Sequence, residues 1–393
     1  MNVTRIGVLT QLELRQRLRR PGFYVLLGVF FLVVVGITWL GSLIFGGDGS
    51  GSSGMISVAI YGVLLMATLV TPTFTGNAIN GDRESATLAP VQVTLATTTE
   101  ILLAKLLAGW AAGIVYLIVA LPALLFALLR GLVDPVPAGW FGSDEMGATS
   151  PAMLAVAIVV LIVEVGIIAA IGVGLSAIIA RPLFSVAATY LVVMLLVIGT
   201  VIAFALGTFA TRSSTVTLSE SPDEVYVADG VLGSLPSCDD AGEPCVEPRP
   251  DVSAQCVAVH GTGDVPRYDH VWWLLAANPF VVLADATPTT YNREGYPIDL
   301  FGQIKYGVRS AQHAPELVQQ DWIDPCDGEP PREGEYYGSD ADRETSRELI
   351  ERSVPSWFVG LGVQVLLAVG LMLWGGARTT TPARRTPPGS RIA

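Results

Sequence analysis

The chain has 393 residues, 51% of them apolar and only 15% charged, with a mean hydropathy of +0.54, a balance that excludes an ordinary soluble globular protein. Its formal charge of −12 is unevenly carried: residues 210–355 hold 26 acidic and 10 basic side chains, a net of −16, against +4 for the remainder. An acidic exterior of this kind excludes nucleic acid as its ligand.

Residues 1–21 form the first expected element. From Val8 to Leu18, apolar positions interleave with Glu13, Arg15 and Arg17, the pattern of an amphipathic helix lying on a membrane face. Six apolar runs follow, roughly Phe23 to Phe45, Met55 to Thr75, Lys105 to Leu129, Ala152 to Ala180, Leu183 to Gly207 and Trp357 to Gly375. At about 1.5 Å of rise per residue, each can cross a hydrocarbon core of about 30 Å. The first exceeds the 7 to 15 residues or so of a secretory h-region, so it is expected to be a retained span.

Lys and Arg in the short loops set the orientation. Arg5, Arg15, Arg17, Arg19, Arg20, Arg83, Lys105, Arg181, Arg378, Arg384, Arg385 and Arg391 all fall on one side of the alternating spans. Opposite them, GGDGSGSSG has no basic residue and the loop after the third span has only Arg130. Both termini are therefore expected in the cytoplasm, in a multi-pass protein of the plasma membrane. The expected organisation is a cytoplasmic amphipathic helix (1–21), five spans (22–209), an acidic extracytoplasmic domain (210–355), a sixth span (356–376) and a basic cytoplasmic tail (377–393).

The short polar insert from Gly81 to Lys105 carries dense local signals. Asp82, Arg83 and Glu84 open it, Pro90 punctuates it, and Thr97-Thr98-Thr99-Glu100 has the spacing of a capping box, in which Thr97 caps the next helix and Glu100 reaches back. Small residues recur at four-residue intervals, Gly109 with Gly113 and Gly166 with Ala170 and Gly174, which permits close helix approach where lipid supplies no hydrophobic drive. Glu164 is the one ionisable side chain deep within a span. A charge there is costly, so it is expected to face the protein interior or to be protonated, either as a functional group or as an interhelical hydrogen bond.

Within 210–355, residues 271–284 (VWWLLAANPFVVLA) are apolar but too short to cross the bilayer. They fit an interfacial or re-entrant segment, with Trp272 and Trp273 at headgroup level, or else the core of a small domain. All four cysteines, Cys238, Cys245, Cys256 and Cys326, lie in the acidic insert. An even count on the oxidising side suggests two disulfides, with Cys238–Cys245 and Cys256–Cys326 favoured among three pairings because the first closes a tight loop. Cys256 and His260 lack the further ligands a zinc site needs, so no metal is expected.

Catalytic signatures are missing. The two lysines, Lys105 and Lys305, precede Leu106 and Tyr306, whereas a phosphate-binding P-loop requires Lys followed by Ser or Thr. No H-E-x-x-H or G-x-S-x-G sequence occurs, and Asp239-Asp240 or Asp340 with Asp342 lack EF-hand spacing, reading instead as solvated acidic surface.

Taken together, these features resemble the permease subunit of a type-2 ABC transporter. The resemblance rests on the basic helix LELRQRLRRPGFY before the first span and the loop sequence Asp82 to Leu88, in which Ala86 stands where the family usually has Gly. It also rests on the Thr97 to Lys105 run opening the third span, the Leu175 to Arg181 run ending the fourth, and Asn278-Pro279-Phe280 before the last. The resemblance implies an all-α fold of six membrane helices, acting as a transport subunit and not an enzyme. Its loop, through Asp82, Arg83, Glu84, Thr87, Leu88, Thr97 and Glu100, would couple to a separate ATPase subunit. That partner would hold ATP and Mg, this chain binding no cofactor, and a second permease subunit, identical or related, would complete the pathway of an exporter. The competing expectation is a membrane-anchored extracytoplasmic receptor or assembly factor.

Overall fold

A computed structural model describes residues 2–45, 51–84, 97–133, 150–223, 255–292, 295–320 and 345–379. The chain is mostly helical. Six of its helices are long and apolar enough to cross a membrane: Pro21–Ile44, Gly54–Asp82, Thr98–Leu129, Pro151–Ile178, Pro182–Ala210 and Trp357–Thr379, called spans one to six below. Each begins or ends within a few residues of the apolar run that predicts it, except at the two sides of the Gly81 to Lys105 insert. There span two continues past Thr75 and span three starts at its Thr97 cap.

Two compact units divide the chain. The helical unit comprises Met1–Gly207, His270–His313 and Thr345–Ala393; the second comprises Thr208–Asp269 and Ala314–Glu344. The helical unit opens with α1 (Val3–Leu18), whose first turn is capped by the Asn2 side chain accepting from Thr4 N. Then come α2 (Pro21–Phe45), α3 (Gly51–Thr75), the single turn α4 (Asn80–Glu84), α5 (Thr98–Val133) and α6 (Pro151–Ile178). Span five is α7 (Pro182–Met194), a π-helical turn at Leu195–Gly199, and α8 (Thr200–Ala210). Span six is α13 (Trp357–Thr379).

The small-residue rows sit where helices meet. A Cβ at Gly113 would lie 2.2 Å from Val165 Cγ1, and one at Gly174 would lie 2.9 Å from the Leu371 carbonyl carbon. Spans three and six thus approach span four at positions where a methyl group does not fit. The largest buried cluster gathers Phe30, Ile60, Leu64, Tyr116 and Met153 from spans one to four, and extends to Leu283, Ala284 and Phe301.

Those last residues belong to the apolar stretch before span six and to the helix after it. The 271–284 segment folds as α9 (Trp273–Ala276) and the start of α10 (Pro279–Ala286), and α11 (Leu300–Ser310) follows. Leu283 and Ala284 have no exposed surface, so the segment packs on the spans as part of their core. At Gly360 in span six an added Cβ would come within 1.7 Å of the Ala276 carbonyl oxygen, which fixes how closely α9 lies on that helix.

Asn278 holds this arrangement at its head. Its Oδ1 caps α10 by accepting from Phe280 N at 2.9 Å, and its Nδ2 donates to Val197 O at 2.7 Å and Thr200 Oγ1 at 3.0 Å. Val197 lies in the π turn, where the backbone pairing pattern is interrupted and a carbonyl is open to a side-chain donor.

The second unit corrects the all-α expectation. It contains a three-stranded sheet in the order β2-β1-β3, with β1 (Arg212–Asp223) antiparallel to β2 (Gln255–Pro266) and parallel to β3 (Val318–Gln320). Arg212 through Thr217 is rich in Ser, Thr and Val, residues that suit a pleated backbone more than a helix. Arg267 forks onto Asp269 at 2.8 and 2.7 Å and also donates to Ser213 Oγ at 3.2 Å, tying the end of β2 to the start of β1. Cys238, Cys245 and Cys326 lie outside the described residues. Cys256 stands in β2 with its backbone opposite Pro222, and no disulfide is present among the described residues.

Asn278→Ala removes a helix cap and leaves the Val197 carbonyl only the long 3.5 Å contact from Thr200 Oγ1, and should cost about 2 kcal/mol in all. Asn278→Asp keeps the cap but not the donor and should fall between wild type and Ala. Thermal unfolding midpoints of the detergent-solubilised full chain check the order.

Candidate functional site

The described parts of the Gly81 to Lys105 insert, 81–84 and 97–105, place their polar residues at the end of the helices where α1 lies. The capping box is formed there: Glu100 N donates to Thr97 Oγ1 at 3.3 Å, and Thr97 N donates to Glu100 Oε2 at 3.0 Å. The other carboxylate oxygen, Oε1, accepts Asn2 N at 2.7 Å, so one side chain closes the start of span three and pins the start of α1.

Asp82 has a partner within this same chain. Its Oδ2 is 2.6 Å from Lys105 Nζ, and the same ammonium is 3.2 Å from Glu13 Oε2. Glu13 also pairs with Arg17 at 3.4 Å. The Lys105 side chain is only 5% exposed, while Glu13 and Asp82 are 20% and 33% exposed, so a cation drawn out of water is held between two partly solvated carboxylates. Helix α1, the α4 turn and span three are thereby joined through one atom. Thr10 Oγ1 adds a bond to Ala104 O at 3.4 Å. Burial pulls the Arg17 guanidinium below its ordinary value, and Glu13 offsets part of that.

The α4 turn, with Ile79 before it, is also tied to span four. Ser176 Oγ accepts from Ile79 N at 2.9 Å and Asn80 N at 3.3 Å, and Asn80 Nδ2 donates to Ile179 O at 2.6 Å, satisfying a carbonyl at the end of α6. Of the remaining residues expected to act here, Arg83 takes its place in the α4 backbone and Glu84 is exposed. Thr87 and Leu88 lie outside the described residues.

Sequence reasoning missed Glu13 as a partner of Lys105. The available signal was an acidic residue in an otherwise basic helix, together with a lysine at the edge of an apolar span.

Glu164 lies far from this network in sequence and role. It is 1% exposed, with Gln364 of span six as its hydrogen-bonding neighbour. Gln364 Nε2 donates to Ala277 O at 3.0 Å, while Glu164 Oε1 and Gln364 Oε1 have no partner among the described residues. This makes a polar point in the packing between spans four and six.

A third polar cluster sits where span six begins. Asp285 in α10 is fully buried, and its Oδ1 accepts from Arg309 Nε at 2.6 Å. Its Oδ2 accepts from Ser356 N at 2.6 Å, Ser356 Oγ at 3.1 Å and Trp357 N at 2.9 Å, a carboxylate closing the first turn of a helix whose dipole favours it there. Arg309 Nη1 continues to Ile350 O at 2.7 Å, and Lys305 donates to Thr287 O. With these donors and acceptors matched, the cluster reads as the clamp that fastens α10, α11 and α12 (Ser346–Arg352) to span six. No group of metal-ligating side chains occurs among the described residues.

The sequence matches no protein-family model, and no curated protein matches it. The function must therefore be read from the residues themselves.

Lys105→Met takes the ammonium away from Asp82 and leaves Glu13 to Arg17 alone, and should lower stability by about 2 kcal/mol, both carboxylates keeping some contact with water. A Lys105→Met, Asp82→Asn double variant should recover part of that loss in a denaturation series.

Burial lowers Lys305 from 10.5 to about 8, against the opposing pull of Asp285 and Asp299. Between those two values the unfolded chain binds more protons, so stability should rise with pH across that window. In Lys305→Met the rise should shrink, as read from unfolding midpoints collected from pH 7 to 11.

Proposed function

We propose that the chain is the membrane-spanning permease subunit of an ATP-binding-cassette exporter, working as a dimer and driven by separate ATPase subunits that hold ATP and Mg. The observation that supports this reading best is the Lys105 junction. A short polar turn between spans two and three is fixed to α1 and span three by Asp82, Lys105 and Glu13, and to span four by Asn80 and Ser176. A partner pressing on α4 would therefore move four elements together, which is what a coupling element has to do.

In this reading Glu84, and Arg83 beside it, meet the ATPase from the cytoplasm, with both termini on that side of the plasma membrane. Asp82 acts inwardly, passing the load to Lys105. Closure of the ATPase pair biases the spans between two states. The acidic unit lies outside the cell, stapled by Cys238, Cys245, Cys256 and Cys326. Glu164 lies on the path by which movement of span four reaches span six.

A receptor or assembly role is favoured by one observation: residues Thr208–Asp269 and Ala314–Glu344 form a compact unit of their own around a sheet. Deleting residues 215–265 separates the two readings, since a transporter keeps flux and a receptor loses all function.

The direct test is purification of the tagged full chain from its native membrane in mild detergent. A co-purifying ATPase at near-equal stoichiometry is expected, with transport lost but folding retained on Arg83→Glu or Glu84→Arg. Recovery of the intact chain without any ATPase overturns the proposal.

A further inference from the structure

A cavity of about 650 Å³ opens between α1 and spans one to three, with the residues of the Lys105 junction in its wall. Its volume falls within the range of roughly 300–1,000 Å³ typical of ligand sites. The wall has two characters. Leu9, Leu12, Phe23 and Leu26 line it with apolar surface, and Arg17, Arg20 and Asn77 are among its polar groups.

Two polar atoms on this wall are unsatisfied. Arg17 Nη2 is engaged with Glu13, and the guanidinium lies over the Phe74 ring at 5.6 Å, but Nη1 is buried and has no hydrogen-bond partner among the described residues. The same is true of Asn77 Oδ1. One is a donor on a cation and the other a neutral acceptor, and a buried orphan of either kind is unfavourable, the more so where charge is involved.

The charge balance points the same way. Arg17, Arg20 and Lys105 face the cavity with Glu13 and Asp82, leaving one positive charge in excess. Arg20, just past the end of α1, adds to the positive charge at Arg17 and, after burial itself, helps pull its guanidinium below the ordinary value. Lys105 is already shared between the two carboxylates, so the excess sits at the arginines.

We propose that this cavity holds the head of an anionic membrane phospholipid whose phosphate diester carries a hydroxylated headgroup of the glycerol kind. The phosphate monoanion accepts from Arg17 Nη1 and balances the arginine pair, and a headgroup hydroxyl donates to Asn77 Oδ1. The acyl chains leave along Leu9, Leu12 and Leu26, which form the apolar part of the same wall. A zwitterionic lipid would bring a second positive charge where one is already in excess. This assignment stands whether or not the chain transports anything, because it uses only the cavity.

Native mass spectrometry of the full chain, released from micelles doped equally with phosphatidylglycerol and phosphatidylcholine, tests the proposal alongside thermal midpoints in each lipid. Wild type should retain one phosphatidylglycerol at least tenfold in preference and gain several degrees from it. Arg17→Gln should lose that preference and the gain, Arg17→Lys should recover part of both, and Arg378→Gln, outside the cavity, should keep both. Leu12→Trp, which fills the cavity and leaves every charge in place, should also lose the lipid, covering the case in which Arg17→Gln does not fold. Equal retention of phosphatidylcholine, an unchanged preference in both cavity variants, or the same midpoint gain from millimolar inorganic phosphate without lipid would each overturn it.

Discussion

The Lys105 ammonium, 5% exposed and held between Asp82 at 2.6 Å and Glu13 at 3.2 Å, is the contact on which the α1 end of the protein depends. A lone cation at that depth would be strongly unfavourable, and the two carboxylates are what make it tolerable. Because the buried ammonium needs both carboxylates, the three elements that carry these charges cannot separate cheaply. The Thr97–Glu100 cap reinforces the junction from the other side: Glu100 satisfies the start of span three and, through Asn2 N, the start of α1. The cavity beside it draws on the same residues, since Glu13, Asp82 and Lys105 line it together with Arg17.

At the other ends of the spans, Asp285 does comparable work with backbone donors. A buried carboxylate that receives four hydrogen bonds from Arg309, Ser356 and Trp357 needs no solvent, and it ties the helices before span six to that span's first turn. The two clusters differ in kind. The Asp285 cluster is nearly closed to water, whereas Glu13 and Asp82 remain partly wet, so the junction at α1 is the one that salt and neighbouring molecules can reach.

The spans were legible in the sequence because length and hydropathy alone decide them. The Thr97 cap and the Gly113 and Gly174 approaches were legible because each depends on residues a few positions apart. What escaped were contacts between positions far apart along the chain: Glu13 with Lys105, separated by 92 residues, Asn278 with Val197 by 81, and Asp285 with Ser356 by 71. The sheet escaped for a different reason. Its strands are built from Ser, Thr, Gly and short aliphatic residues within a stretch dominated by acidic side chains and proline, so charge masked the alternation. The apolar segment 271–284 had the right composition for several fates, and only the placement of Leu283 and Ala284 against the spans distinguishes among them.

Many of the bonds that cross between helices share one form, a side-chain donor meeting a main-chain carbonyl. Asn80 meets Ile179, Trp110 meets Ile162, Tyr190 meets Leu69, Ser185 meets Gly76, Asn278 meets Val197, Gln364 meets Ala277 and Arg309 meets Ile350. Every residue supplies a carbonyl, so half of each bond is indifferent to the side chain at that position. The acceptor sites are free to drift among apolar residues of suitable size, while the burden of specificity falls on the donors. A chain fastened in this way can change much of its apolar sequence and keep its fold.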